Sequence, residues 1–242
     1  MTVSISLDPI LELPAENELD SYPGYETTEL RMYARKWLQA SLKTKTKTQP
    51  RKISSFGENL EGQSVLLSRF LTPQKIPPGL TENFETDEFL IEKVARYVSL
   101  IPFMEDNRMF EDMPDMWCTS QEFLDLGAGD YEEHAVLLCN YFKYIDLKKN
   151  RTNIENCIVL GKGIPEGYTT YVLRRDKNTN HCELWNSIRG EAYFFGREEV
   201  PNGVLCFKTK PGIHMNIRTY DSKCPLTSVG CVITENNVYS NI

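Results

Sequence analysis

The amino-acid sequence predicts an α+β domain in which helices come first and an antiparallel sheet follows. Three observations carry this. Residues 86–99 repeat apolar side chains at helical period (Phe89, Leu90, Val94, Ala95, Val98), with Glu88, Glu92 and Lys93 off the stripe. Asp130 and Glu133 stand at capping-box spacing around the start of a second such run, which begins at Tyr131. From Cys157 onward, short strand-like pieces are separated by turn residues.

Residues 3–7 alternate Val, Ser, Ile, Ser, Leu and are expected to form a short strand ended by Asp8-Pro9. With no partner nearby, it reads as the last strand of something upstream. Residues 13–26 are acidic and hold Pro14, Pro23 and Gly24, the composition of a linker. A helix is expected from Thr28 to Leu42, with Met32, Trp37 and Leu38 on one face. The basic run from Lys43 to Lys52 reads as a solvated linker, with contact to phosphate or anionic lipid as the alternative. A Ser/Gly-rich turn at 54–62 leads to a strand from Ser64 to Leu71, which Pro73, Pro77, Pro78 and Gly79 end.

Pro102 closes the helix of residues 86–99. In the helix from Tyr131, residues His134, Ala135, Leu138, Cys139 and Phe142 follow at helical period and should face a core. Strands are expected at Cys157–Leu160, Tyr168–Arg174, Cys182–Trp185, Ala192–Phe195, Val204–Phe207 and Val229–Ile233. Turns are expected at Gly161-Lys162-Gly163, Asp176–Asn180 and Asn186–Gly190. The chain thereby divides into residues 1–85, a strand from or adjoining an upstream domain with linker, helix and accessory strand, and residues 86–242, the main domain.

Bulk properties exclude several classes. The 242 residues are 40% apolar, with 12 Tyr, 11 Phe and 3 Trp, enough to build a core. No run approaches the roughly 18 apolar residues of a membrane helix. The N-terminus has no basic region followed by an apolar stretch, so no signal peptide is expected. A net charge of -7 argues against nucleic-acid binding. Seven cysteines, an odd count without C-x-x-C spacing, fit reduced thiols in a cytoplasmic protein. The ending at Val238–Ile242 raises the expectation of further chain.

The segment around Tyr131 is where a thiol hydrolase would place its chemistry. A nucleophile gains from the free N–H groups and dipole at a helix start, a base must face it from a strand, and a third group must orient that base. Gly127-Ala128-Gly129-Asp130 leads into Tyr131-Glu132-Glu133-His134-Ala135. One later strand carries Thr169-Thr170-Tyr171-Val172, and the next carries Glu183-Leu184-Trp185-Asn186. This arrangement resembles the transglutaminase-like domain of the papain-like superfamily.

That resemblance implies a papain-like or transglutaminase-like core, with helices packed on the sheet. It sets the helix-start cysteine at Tyr131, the strand histidine at Thr169 with Tyr171 at the aromatic place, and the orienting aspartate at Asn186 after Trp185. Shifting the middle motif to Thr170 still yields no histidine. A phenol with a pKa of about 10 is a weak nucleophile near neutrality, and threonine is no useful base.

A narrower resemblance runs through Ala95–Phe103, Trp117–Leu126, Gly129–Phe142, Gly163–Gly167, Cys224-Pro225-Leu226 and Val229-Gly230-Cys231. These segments resemble the coiled-coil and C-two domain-containing family of the ciliary transition zone, to which a centrosomal protein is also related. Ser4–Pro9 resembles the end of a preceding lipid-binding sandwich domain. The resemblance implies a catalytically inactive domain. It further implies a scaffold in transition-zone and basal-body assembly and ciliogenesis, with other transition-zone or centrosomal proteins as partners.

Other residues compete for attention. His134 reads as a core histidine. Its i+5 relation to Cys139 sets the two roughly 140° apart around the helix, too far for a dyad. His181, Cys182 and His214 lack the paired spacing of structural zinc, so neither a metal site nor a cofactor is expected. Asp130, Glu132 and Glu133 suit a helix cap and dipole. Tyr131, His134, Tyr171, Trp185 and Tyr193 are candidates for a relic groove or interface. Two alternatives stay open: a thiol protease or acyl transferase using a displaced cysteine, Cys118 or Cys139, and a peptide-binding domain that keeps the groove. Homo-oligomerisation is also open.

Overall fold

The computed structural model describes residues 26–43, 53–81, 87–109, 115–195 and 224–241. The expected strands at residues 3–7 and 204–207, the linker at 13–25, the basic run after Lys43, Cys206 and His214 lie outside the described residues.

Helix α1 (Thr28–Lys43) comes first. A two-stranded ladder of β1 (Phe56–Glu58) and β2 (Ser64–Leu66) follows. Next are a 3-10 turn at Leu67–Phe70 and short α2 (Pro78–Thr81). Then come α3 (Asp87–Ser99), α4 (Asp106–Met109), α5 (Ser120–Leu126) and the long α6 (Tyr131–Lys148). The main sheet comprises β3 (Ile154–Gly163), β4 (Gly167–Asp176), β5 (Cys182–Asn186), β6 (Glu191–Phe195), β7 (Leu226–Ile233) and β8 (Val238–Ser240). Its order is β6-β5-β4-β3-β7-β8, antiparallel at every pairing. Helices precede the sheet and pack on it: the α+β class holds.

Helix α6 is the axis of the core. Its start is set by the capping box the sequence spells: Asp130 accepts from the Glu132 N–H at 2.9 Å, and Glu133 Oε2 accepts from the Asp130 N–H at 2.9 Å. Residues Ala135 to Phe142 are buried without interruption, so this helix has no wet face there. One side lies on β3 and β4; α3, α5 and the segment from Val65 to Ile76 cover the rest. Asn140, mid-helix and buried, donates to Phe70 O and Ser120 Oγ, both at 2.8 Å, and so ties the 3-10 turn and α5 to α6.

At the far end of α6, a buried ionic group does similar work. Asp146 accepts from both terminal nitrogens of Arg174 on β4 and from Asn156 on β3. The Arg174 guanidinium lies over the Phe142 ring.

Three expectations need correction, and one helix is additional to them. The strand from Ser64 ends at Leu66, because Leu67 and Phe70 turn into the core at three-residue spacing, which a 3-10 turn serves and a strand does not. Gly161-Lys162-Gly163 is no turn but the end of β3, paired with both β4 and β7. Gly161 is required because β7 crosses so near: a Cβ there would sit 2.3 Å from Ser228 O. Met32 is exposed, whereas Trp37 and Leu38 are half-buried on the expected face, beside buried Ala34 and Ser41. Helix α5 was not expected, although Thr119 and Glu122 form a capping box at its start and Gly127 ends it at φ 72°.

Candidate functional site

The first turn of α6 points toward the end of the sheet where β3 meets β4. Tyr131, its first residue, is half-buried. The ring of Phe103 meets it edge-on, centroids 4.9 Å apart. Phe103 is held there by its backbone: Met104 N donates to Gly129 O at 2.8 Å and Gly129 N donates to Pro102 O at 3.3 Å. An aromatic pair therefore occupies the helix start. Burial, then the charges of Glu166 and Asp130, push the Tyr131 phenol above its ordinary value, against a lowering by Arg189. The hydroxyl is thus a poorer nucleophile than a free phenol.

Alternation along β4 decides what faces the helix. Thr170 and Val172 point to α6: Thr170 Oγ1 donates to Glu132 Oε1 at 3.0 Å, and Val172 lies in the core cluster that includes α6. Tyr171 points the other way, into a second cluster with Val159, Leu184 and Tyr193. Thr169 shares the Tyr171 face, and its buried hydroxyl has no hydrogen-bond partner among the described residues. Asn186 stands opposite Tyr171 and donates to its hydroxyl at 2.9 Å, while Asn186 Oδ1 accepts from the N–H groups of Ile188 and Arg189. Asn186 thereby orders a turn and a phenol. Trp185 faces α6, its ring 5.4 Å from that of Phe142.

His134 is enclosed. Its ring lies 4.8 Å from Phe123, Nδ1 is 2.6 Å from Asp130 O and Nε2 is 3.0 Å from Ile101 O. Burial lowers its pKa against those two contacts. With both nitrogens turned to backbone carbonyls, the ring has none left for a thiol. Of the candidate groove residues, His134, Tyr171, Trp185 and Tyr193 are buried, and Tyr131 alone keeps surface. The exposed apolar side chains nearby are Leu100, Phe103 and Met104, which hydrophobic patterning does not single out.

The buried thiols are equally withdrawn, while Cys182 and Cys224 are part-exposed. Burial raises Cys118, and the carboxylates of Glu133, Glu122, Asp106 and Asp130 add to that. Burial pushes Cys139 up to about 12. Cys157, Cys182 and Cys231 donate to backbone carbonyls of Leu173, Asn180 and Ser54. Among the described residues no cysteine is in a disulfide, and no thiol, imidazole and carboxylate assemble as a triad.

Acidic groups gather behind the cap. Oxygens of Asp106, Asp115 and Asp130 lie within 4.8 Å of one another. Asp106 accepts from the Met116 N–H at 2.5 Å. Burial, then the charges of Glu132 and Glu133, raise the Asp130 carboxyl, and burial raises Glu133. Two of the three aspartates precede α5 in chain regions without helical or strand patterning, so their meeting is invisible to spacing arguments.

Residues 115–242 match the model of the CEP76 peptidase-like domain. The chain belongs to that family. Its α+β architecture, with helices on an antiparallel sheet, is that of a papain-like or transglutaminase-like core. The chain is 31% identical over 193 residues to human "Protein CC2D2B", covering 79% of this chain and 11% of that protein. It is 26% identical over 182 residues to the Drosophila melanogaster "Coiled-coil and C2 domain-containing protein 2A", covering 75% of this chain and 11% of that protein. The chain thus spans about a tenth of the length of these relatives. No described helix is long and apolar enough to cross a membrane.

Proposed function

We propose that this peptidase-like domain is a non-catalytic scaffold. It holds other transition-zone or centrosomal proteins during assembly of the ciliary transition zone and basal body. The observation that supports this most is the aromatic pair of Tyr131 and Phe103 at the start of α6. A thiol–acyl reaction needs a sulfur at that spot and an imidazole facing it. Here the facing strand residue is Thr170, already donating to Glu132.

The positions Tyr131, Thr169 and Asn186 are read as the degenerate remains of nucleophile, base and orienter. Location at the cilium base, on the cytoplasmic side and associated with the cytoskeleton, is supported by kinship with the coiled-coil and C2 domain relatives. The domain division at residue 85 is part of the same reading.

The test is rescue of ciliogenesis in cells lacking the protein, using the full-length protein with Tyr131→Phe. This variant removes the hydroxyl and keeps the ring. It should restore cilia to the level of the parent and gather at the cilium base. Loss of rescue by a stably folded variant overturns the non-catalytic reading; parent protein absent from the cilium base overturns the location.

A further inference from the structure

We infer that the outward face of α1 docks on the surface of an anionic lipid bilayer, its basic side chains against the headgroups and its apolar ones between them. The helix has two unlike sides. Ala34 and Ser41 are buried, and Trp37 and Leu38 are half-buried beside them. Trp37 packs on the main core cluster, and Ser41 Oγ lies 3.0 Å from Ser240 Oγ on β8. Just before the helix, buried Glu26 accepts from Arg69 at 3.0 and 3.3 Å and from the Leu66 N–H at 3.3 Å. Both ends of α1 are thereby fixed to the domain, so its outer side has one set orientation.

That outer side combines two chemistries. Met32, Tyr33 and Leu42 are 53%, 70% and 48% exposed. Arg35, Lys36 and Gln39 are exposed with them. Met32, Lys36 and Gln39 follow at i, i+4 and i+7 and share a stripe, with Arg35 and Leu42 along one flank and Tyr33 on the other.

Charge selects the occupant. Residues 28–52 hold eight basic residues and one acidic residue, Glu29. That is +7 in a chain whose total is -7, so the rest carries -14. An anionic surface attracts this segment and repels the remainder, which sets α1 toward the bilayer and the body toward water. Phosphate in solution, or an acidic protein segment, would satisfy the basic groups and leave Met32, Tyr33 and Leu42 in water. A headgroup layer takes both. The face uses none of the residues at the start of α6, and the inference stands or falls separately from the scaffold role.

The experiment is co-sedimentation of the 242-residue chain with vesicles of equimolar phosphatidylserine and phosphatidylcholine, or of phosphatidylcholine alone. Binding is expected on the first and not on the second, and should fall as salt is raised. Arg35→Glu combined with Lys36→Glu should weaken it by at least about tenfold. Both positions are exposed, and the unfolding midpoint should stay at that of the parent. Arg35→Gln with Lys36→Gln should weaken binding in the same direction, and serves if the reversal does not fold. Lys177→Glu, a reversal at an exposed site on the β4–β5 turn, should leave binding unchanged. Met32→Ser with Tyr33→Ser should weaken vesicle binding and leave any binding to polyglutamate as it was. Absence of binding to phosphatidylserine vesicles at low salt overturns the inference. So does binding that the Arg35 and Lys36 changes leave intact, or that Lys177→Glu weakens equally. Polyglutamate bound more tightly than vesicles, with vesicle binding indifferent to Met32 and Tyr33, would overturn it in favour of an acidic protein partner.

Discussion

Thr170 Oγ1 donates to Glu132 Oε1 at 3.0 Å, and both residues are buried. This bond identifies the residue of β4 that meets the first turn of α6. In a thiol hydrolase that station belongs to a base. Here a small hydroxyl serves as a donor to a carboxylate and joins helix to sheet, a structural contact.

Thr170→Val should therefore lower stability. It removes the donor and leaves a buried carboxylate short of one partner, a loss of about 1.5–3 kcal/mol for a hydrogen bond to a charged group. Thr170→Ser should recover most of it, since the hydroxyl remains. Urea denaturation reads both: the midpoint should shift with the slope unchanged. An unshifted midpoint in Thr170→Val would remove the bond from any structural role.

Tyr131→Cys should not create a hydrolase. The new sulfur would lie at the positive end of α6, yet the histidine of that helix is not free to serve it. His134 turns its two nitrogens to Asp130 O and Ile101 O, and the neighbouring strand offers Thr169 and Thr170. Assayed on fluorogenic peptide and amide substrates, the single variant should match the parent. Turnover above that level would refute the assignment of these positions.

Gly161→Ala should destabilise by about 1–3 kcal/mol, the range for overpacking. A Cβ would come 2.3 Å from Ser228 O and 2.7 Å from Leu226 Cδ1, and the first of these is backbone that cannot swing away. The register of β3 against β7 shifts at this point, so the strain falls on the ladder itself. Thermal unfolding of the variant checks this; a midpoint equal to that of the parent would mean that β7 can retreat.

The helices and inner strands were legible because their signals are local. Asp130 and Glu133 announce the start of α6, and the period of Ala135, Leu138 and Phe142 reports its burial. What was not legible depended on distant partners. Gly161 resembles turn chemistry unless the approach of β7 is known. Phe103 is an unremarkable loop aromatic until the ladder with Gly129 lays it on Tyr131. The motif placed the base at Thr169, whereas the strand residue that meets the α6 start is Thr170. Adjacent threonines give composition no means to tell the faces apart, and only the pairing of β4 with its neighbours does so. The aspartates near the cap met by folding, from segments without periodicity.

Thiol reactivity discriminates most directly between a silent domain and an enzyme with a displaced cysteine. Cys118, Cys139, Cys157 and Cys231 are buried, while Cys182 and Cys224 are part-exposed. Alkylation needs both access and thiolate. With Cys139 pushed up to about 12 and the negative groups around Cys118 raising it further, neither holds appreciable thiolate at pH 8. Among these six, iodoacetamide should therefore modify Cys182 and Cys224 first in the folded protein. The four buried thiols should react only as fast as the chain opens, and mild urea should accelerate them together. Mass spectrometry of a labelling time course separates the sites. Rapid native-state labelling at Cys118 or Cys139, with a rate that rises through neutral pH, would mean a thiolate is formed there. Such a result would return the displaced-cysteine hydrolase to contention, because burial and surrounding carboxylates would then have failed to keep the sulfur protonated.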